Sequence, residues 1–139
     1  MKKLVMLLSI VLMCSCVFAG TPPDAVKKAF AKKFPTATKV SWGKEGPKEW
    51  EADFTYEGNT ISANFFQDGT WLETEKQIKA INLPKAVLAA VKSNYMDWKI
   101  VEADLTQTAK NGTIYEVDLR KGMKSKSLAF KENGSSVKE

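Results

Sequence analysis

The sequence predicts an α+β fold made by tandem duplication. Each unit has one helix and a four-stranded antiparallel sheet, and the helices lie on one face of a shared curved sheet. Three observations predict this. The strand-like "WEADF" at 50–54 returns as "YEVDL" at 115–119. The helix-like "TPPDAVKKAFAKKF" at 21–34 returns as "NLPKAVLAAVKSNY" at 82–95. Short alternating stretches and turn residues follow each helix. We place repeat 1 at 21–81 and repeat 2 at 82–139.

The first 19 residues have the features of a secretory signal peptide. Lys2 and Lys3 precede an uncharged apolar run from Leu4 to Phe18, and the small Ala19 follows it. The run is too short to span a bilayer comfortably, and no stop-transfer charges follow it. We therefore expect cleavage after Ala19, a periplasmic or secreted location, and no membrane span.

Lipidation at Cys16 is a second interpretation of the same segment, because "MCSC" loosely resembles a lipobox. Met13 and Cys14 match that motif poorly, so we favour cleavage after Ala19. Both cysteines of the chain then leave with the signal peptide. Removal of Lys2 and Lys3 changes the charge balance from 21 − 16 = +5 to 19 − 16 = +3, which demands no anionic partner.

Repeat 1 is predicted to begin with an amphipathic helix that ends at Pro35. Thr21 can serve as the N-cap, with prolines in the first turn. One face carries an apolar stripe at helical spacing, and lysines cover much of the remainder. The stripe consists of Val26, Ala29, Phe30 and Phe34. We therefore expect this helix to cover the apolar face of the sheet.

Four strands are predicted to follow this helix, each with alternate residues pointing to the core. Val40 and Trp42 point inward from the first strand, and Leu72 points inward from the fourth. The same alternation places Trp71 on the opposite face. The two middle strands contribute larger inward sets, which are Trp50, Ala52, Phe54, Tyr56, Ile61, Ala63 and Phe65.

Repeat 2 is predicted to follow the same plan. Asn82 takes the place of the Thr21 cap, and Phe130 corresponds to Phe65. The stretch "IVEADL" is the next strand, with Val101, Ala103 and Leu105 inward. The last strand is expected to be short, near Val137. Each unit has only about sixty residues, which is marginal for an independent core. We therefore expect the two units to share one sheet.

The chain resembles the PepSY-like family of exported proteins, whose members are described as β-lactamase-inhibitor-like. The resemblance rests on the opening "PPDAVKKAFAKKFPTATKVSW", the strand "WEADF", the hairpin "FFQDGTW" and the second helix start "LPKAV". It covers essentially the whole chain after the signal peptide. It implies a tandem of helix-plus-four-strand units, similar in architecture to β-lactamase inhibitor protein, whose concave sheet holds other proteins. It implies no catalytic residue.

The sequence lacks the residues on which most catalytic and metal sites depend. It contains no histidine, and the mature chain has no cysteine, so we expect no enzyme, no cofactor and no metal site. A carboxylate pair such as Glu51 and Asp53 is the one catalytic route left open. Arg120 is the sole arginine, which argues against nucleic acid binding.

The sheet face opposite the helices is the predicted partner-binding surface. Alternation turns acidic side chains outward in both units, together with two aromatic side chains that could make apolar contacts. The candidate residues are Glu51, Asp53, Phe66, Trp71, Glu73, Glu116 and Asp118. Glu75, Glu102, Asp104 and Ile114 are expected on the same face. Such a surface favours a protein or peptide partner, and its negative charge favours a basic one.

Several other interpretations of this face stay open. Charged residues keep open sheet faces soluble, so the acids need no dedicated ligand, and Trp71 could simply pack at an edge. The protein would then be a structural or stress protein of the cell envelope. Trp71 and Phe66 could also form a weak carbohydrate site. Acids on neighbouring strands could hold calcium, although calcium sites usually include loop ligands and backbone carbonyls.

Overall fold

A computed structural model describes residues 20–137, so the predicted cleavage site and Cys16 lie outside the described residues. Two helices and seven of the eight predicted strands follow the predicted order, and a short 3₁₀ helix that was not predicted precedes the second helix. They are α1 (Asp24–Lys33), β1 (Thr38–Gly46), β2 (Glu49–Tyr56), β3 (Asn59–Phe66), β4 (Trp71–Gln77), the 3₁₀ helix (Ala80–Asn82), α2 (Lys85–Asn94), β5 (Lys99–Thr108), β6 (Gly112–Lys121) and β7 (Lys124–Phe130).

The strands form one antiparallel sheet whose order follows the chain from β1 to β7. The two predicted units meet where β4 pairs with β5, from Glu73 opposite Thr108 to Gln77 opposite Asp104. The shared sheet is therefore present. The predicted fourth strand of repeat 2 is not a strand among the described residues. A single bridge joins Ser136 to Phe130, and the Val137 N–H donates to the Ala129 carbonyl at 2.8 Å.

Both helices begin directly after a proline, and neither has a side-chain cap. The carbonyl groups of Pro23 and Pro84 accept the N–H groups of Lys27 and Leu88. The predicted caps Thr21 and Asn82 are therefore wrong. Proline fixes φ and lacks an N–H group, so it orders the helix start without a capping side chain.

Each unit has its own core between its helix and its part of the sheet. The first core is rich in aromatic residues and contains Val26, Phe30, Phe34, Trp50, Ala52, Phe54, Ala63 and Phe65. The second is mainly aliphatic and contains Leu83, Val87, Val91, Ala103, Val117, Leu119 and Phe130. The predicted inward alternation is confirmed for the middle strands of repeat 1.

A glycine turn contacts the first turn of the helix in both units. Gly69 has a φ of 90° and Gly134 a φ of 81°. A Cβ atom at Gly69 would lie 2.7 Å from the Ala25 carbonyl oxygen, and one at Gly134 would lie 2.6 Å from that of Ala86. Only glycine combines this conformation with this close approach. The two turns therefore contact their helices in the same way.

Irregular strand pairing overturns two of the predicted inward positions. Val40 is 37% exposed, next to a register shift in β1 where Lys39 adopts a φ of 55°. Val101 is 53% exposed, inside a register shift between Ile100 and Glu102 in β5. A bulge inserts one unpaired residue and so reverses the alternation around it.

Candidate functional site

The sheet face opposite the helices carries most of the acidic side chains of the strands. Residues directly opposite each other in an antiparallel sheet point to the same face, so the pairing defines rows across it. One row is Glu51–Asn64–Glu73–Thr108 and the next is Asp53–Ser62–Glu75–Thr106–Ile114. Two further rows are Gln77–Asp104–Glu116–Ala129 and Glu102–Asp118–Ser127. We call these rows the acidic face.

The centre of the acidic face is packed and not fully solvated. Asn64 is 7% exposed, Thr106 is fully buried and Ile114 is 4% exposed. The Thr106 hydroxyl donates to the Glu116 carboxylate, with 3.4 Å between the oxygens. Ile114 is on the predicted face, but it is buried there. Its burial means that the neighbouring carboxylates lie in a partly apolar environment.

This environment raises the pKa of several carboxyl groups above the ordinary range. Burial raises the pKa of Glu75 to about 8, with further contributions from the charges of Glu116, Glu73, Asp104 and Glu51. Burial also raises the pKa of Glu51 to about 7, assisted by Asp53 and Glu45. The pKa of Asp104 is raised to about 6 for the same reason, assisted by Glu102 and Asp118. Crowding and desolvation therefore oppose full ionisation of this face at neutral pH.

Burial likewise raises the pKa of Asp53 and of Glu73, and the charges of Glu49 and Glu45 add to the effect at Glu73. Among residues 20–137, ion pairs join Lys27 to Asp24 at 3.5 Å and Lys121 to Asp97 at 3.1 Å. Both lie away from the acidic face. The charges that raise these pKa values thus come from neighbouring carboxylates.

The prediction that Trp71 points outward is wrong. Trp71 lies opposite Phe65 and packs against the first core on the helix side. Its indole N–H donates to Thr74 Oγ1 at 3.0 Å, and Lys33 Nζ lies 3.7 Å from the ring centroid. The pairing changes from Asn64–Glu73 to Phe65–Trp71, so β4 has one extra residue there. That residue is Leu72, which was predicted to take the inward position.

The structure brings together the acidic candidates but only one of the aromatic ones. Glu51, Asp53 and Glu73 lie on neighbouring strands, and Phe66 is 39% exposed opposite Glu49 at the end of the same face. Glu116 and Asp118 lie on β6, two strands beyond β4. Glu75 and Asp104 fill the space between these groups. Alternation predicts both residues on this face, but their central position depends on the pairing of β4 with β5, which no local pattern specifies.

The helix side of the sheet has a small cavity between the two units. Its volume is about 240 Å³, and Phe34, Tyr56, Ile61 and Leu105 supply its apolar lining beside Lys76. Ligand pockets usually exceed about 300 Å³. In the part of the chain that the structure describes, no group of three or more acidic side chains could hold a metal ion. No helix within 20–137 is long and apolar enough to cross a membrane.

Comparison with known proteins places this architecture in a family. The model of the family described as "Putative beta-lactamase-inhibitor-like, PepSY-like" matches residues 48–138. A search of the curated proteins finds no match. Solved structures from several Bacteroides species have the same fold.

A BLIP-like protein from Bacteroides fragilis NCTC 9343 is 30% identical, with a TM-score of 0.74 over 86% of this chain and 85% of that one. A DUF2874 family protein from Bacteroides ovatus ATCC 8483 is 24% identical, with a TM-score of 0.75 over 86% of each chain. A structure from Bacteroides eggerthii DSM 20697, described under "putative periplasmic proteins", is 22% identical, with a TM-score of 0.74 over 86% and 88%. The predicted resemblance is confirmed: the chain belongs to the PepSY-like, β-lactamase-inhibitor-like family.

Proposed function

We propose that this protein is an exported, non-enzymatic module that binds a basic segment of another protein through its acidic face. The crowding of carboxyl groups with raised pKa values, centred on Glu75, carries the proposal. A lysine or arginine of a partner would supply the positive charge that these groups lack. It would favour their ionised form, so binding would be coupled to the release of protons.

The arrangement supports binding better than catalysis. Paired catalytic carboxylates flank the bond that they cleave, with the substrate held between them. Here Glu51 and Asp53 lie on one strand and point to the same face. Phe66 adds an exposed apolar contact beside Glu49. An acidic surface with an apolar margin suits a protein partner, because charge steers the encounter and apolar contact holds the complex.

An extracytoplasmic location fits this function. The features of residues 1–19 are those of a signal peptide. The related structure from Bacteroides eggerthii is described as periplasmic. The alternative of a weak carbohydrate site loses one of its two aromatic residues, because Trp71 packs against the first core. The alternative of an envelope structural protein differs from our proposal in having no partner on the acidic face.

The test compares two charge-reversal variants of the same size. A partner is first captured from envelope extract by cross-linking and identified. One variant carries Glu51→Lys with Asp53→Lys on the acidic face, and the other carries Lys28→Glu with Lys32→Glu on α1. We expect the first variant to slow association by about tenfold or more and to flatten its salt dependence, because steering requires opposite charges.

The helix variant is the matched control, since Lys28 and Lys32 are exposed on the other side of the sheet. Circular dichroism shows whether both variants keep the fold. If only the helix variant loses binding, the acidic face is a solvated surface and the proposal is wrong. Unchanged association of the acidic-face variant would have the same meaning.

A further inference from the structure

Repeat 2 carries a cluster of positive charges at one end of its strands. Lys99 lies opposite Arg120 at the start of β5 and the end of β6. Lys121 lies opposite Lys124 across the β6–β7 hairpin. All four side chains are on exposed residues. We call this end of the sheet, together with the hairpin, the basic tip.

The same positions in repeat 1 carry no positive charge. The pair Thr38–Thr55 corresponds to Lys99–Arg120, and the pair Tyr56–Asn59 corresponds to Lys121–Lys124. The offsets are 99 − 38 = 61 for the first strand and 120 − 55 = 65 for the others, as along the rest of the two repeats. The backbone plan therefore does not require these cations. Because only repeat 2 has these cations, we infer that they serve a function specific to the basic tip.

Two highly exposed methionines flank the cations of the basic tip. Met123 at the hairpin is 103% exposed, and Met96 in the turn before β5 is 80% exposed. Lys121 Nζ lies 3.1 Å from the Asp97 carboxylate, which ties the Met96 turn to the hairpin strand. Asp97 offsets the charge of Lys121, and the Lys99–Arg120 pair lies beside the Glu102–Asp118 row on the same face. Lys124 and the exposed Lys126 add positive charge at the hairpin. A protruding apolar side chain beside cations can enter the boundary between headgroups and acyl chains.

We propose that the basic tip docks reversibly on the surface of an anionic phospholipid membrane. Lys99, Arg120 and Lys124 would contact the headgroup phosphates, and Met123 and Met96 would insert between them. An anionic bilayer attracts each cation at its surface, which corresponds to about fivefold in affinity per residue. The acidic face would turn away from the same surface, since like charges repel. Docking by the tip thus leaves that face accessible from the aqueous side.

The test is flotation of naturally processed protein with vesicles at low salt. One set contains phosphatidylglycerol in phosphatidylcholine, and the other contains phosphatidylcholine alone. We expect binding to the anionic vesicles only, and release as salt is added. An acyl chain on the protein would produce binding to both sets, so the difference between them reports the tip. Arg120→Glu with Lys124→Glu should reduce the bound fraction at a given lipid concentration by about tenfold or more.

The matched control is Thr55→Glu with Asn59→Glu, which adds two acids at the equivalent positions of repeat 1. This variant should bind like the wild type. The conservative pair Arg120→Lys with Lys124→Arg should also retain binding, because it keeps both charges. Equal binding to neutral vesicles, absence of binding to anionic ones, or full binding by the Arg120→Glu, Lys124→Glu variant would each overturn the proposal. Circular dichroism verifies the fold of every variant.

Discussion

The two units of the sheet share a backbone plan but fill their cores differently. In repeat 1 the Phe30 ring lies 4.8 Å from that of Phe54 and 5.4 Å from that of Phe34, measured between centroids. In repeat 2 the positions of Phe30 and Phe54 are occupied by Val91 and Leu119, both buried. One core therefore depends on packed rings and the other on aliphatic side chains.

This difference shows what the repeated pattern specifies. Val26 and Val87 are both fully buried at matching helix positions, although their surroundings differ in chemistry. A backbone of this kind accepts different core residues when total volume and patterning are kept. The inward positions and the turn glycines are what the two units have in common. The identity of the side chains determines how much each unit loses when one of them is truncated.

Truncation of the matched core residues should lower the free energy of unfolding more than any other change predicted here. Phe54→Ala removes a ring that contacts Phe30 and Phe34, and it should lower the free energy of unfolding by about 3–5 kcal/mol. Leu119→Ala should lower the free energy of unfolding by about 2–5 kcal/mol. We expect a smaller loss than for Phe54→Ala, because a leucine side chain makes no ring–ring contacts. Chemical denaturation followed by circular dichroism measures both.

Each of these variants should still unfold in one transition, because β4 and β5 join the two units in one sheet. Tryptophan fluorescence reports mainly on repeat 1, which contains three of the four tryptophans, and amide exchange separates the units. Two transitions, with repeat 2 unaffected by Phe54→Ala, would show that the units fold independently.

Substitution of the turn glycines should have the next largest effect, and it should be equal in the two units. Gly69→Ala and Gly134→Ala each place a Cβ less than 3 Å from a helix carbonyl oxygen at a positive φ. Each should cost about 3 kcal/mol. Gly58→Ala is the control, since its φ is 78° but nothing lies within 4 Å. It should cost about 1 kcal/mol. Equal costs at all three sites would mean that the contact with the helix contributes nothing.

Glu75 gives a second comparison between the units. Its strand β4 is the last of repeat 1 and lies between β3 and β5, whereas the last strand of repeat 2, β7, lies at the end of the sheet beside β6. The folded protein raises the pKa of Glu75 from 4.5 to about 8, so it retains a proton that the unfolded chain releases. Stability from this group is therefore lost as pH rises from about 4.5 to about 8. Glu75→Gln should raise the free energy of unfolding above pH 8 by about 2 kcal/mol and reduce its decline with pH.

Glu132→Gln is the control for this substitution, because Glu132 lies exposed in the loop after β7. Its effect on the free energy of unfolding should be small at every pH. Denaturation at several pH values between 4 and 9 measures the slope. A slope that is the same in Glu75→Gln and wild type would mean that burial of Glu75 has little energetic consequence.

Much of the fold follows from the sequence because its elements have local signals. The two helices and the middle strands of repeat 1 were predictable from periodicity and turn residues, and the shared sheet was predictable from the small size of each unit. The helix caps were not, since Pro23 and Pro84 perform the role expected of Thr21 and Asn82. Val40, Val101 and Trp71 were placed wrongly because a bulge changes the alternation without a distinctive residue. The fourth strand of repeat 2 ends as a single bridge at Ser136.

The candidate site was predictable in outline. Alternation located Glu51, Asp53, Glu116 and Asp118 on one face, which the pairing confirms. The most strongly affected carboxyl group, that of Glu75, was not distinguished. Its environment depends on burial beside Thr106 and Ile114, and both lie on strands of the other repeat. Such an environment arises from contacts between distant segments, which a single sequence does not encode in any local pattern.

The order of the strands along the sheet has a consequence for how the protein folds. Every strand pairs with its neighbour in the chain, and each helix directly precedes the strands that it covers. Apart from the connection through α2 that precedes β5, the loops that must close are therefore short, and little chain entropy is lost before each pairing becomes favourable. Proteins dominated by contacts between nearby segments reach the native state faster than those that need long-range pairing. A chain that is synthesised from its N terminus can thus begin to pair the strands of repeat 1 before repeat 2 is available to complete the sheet.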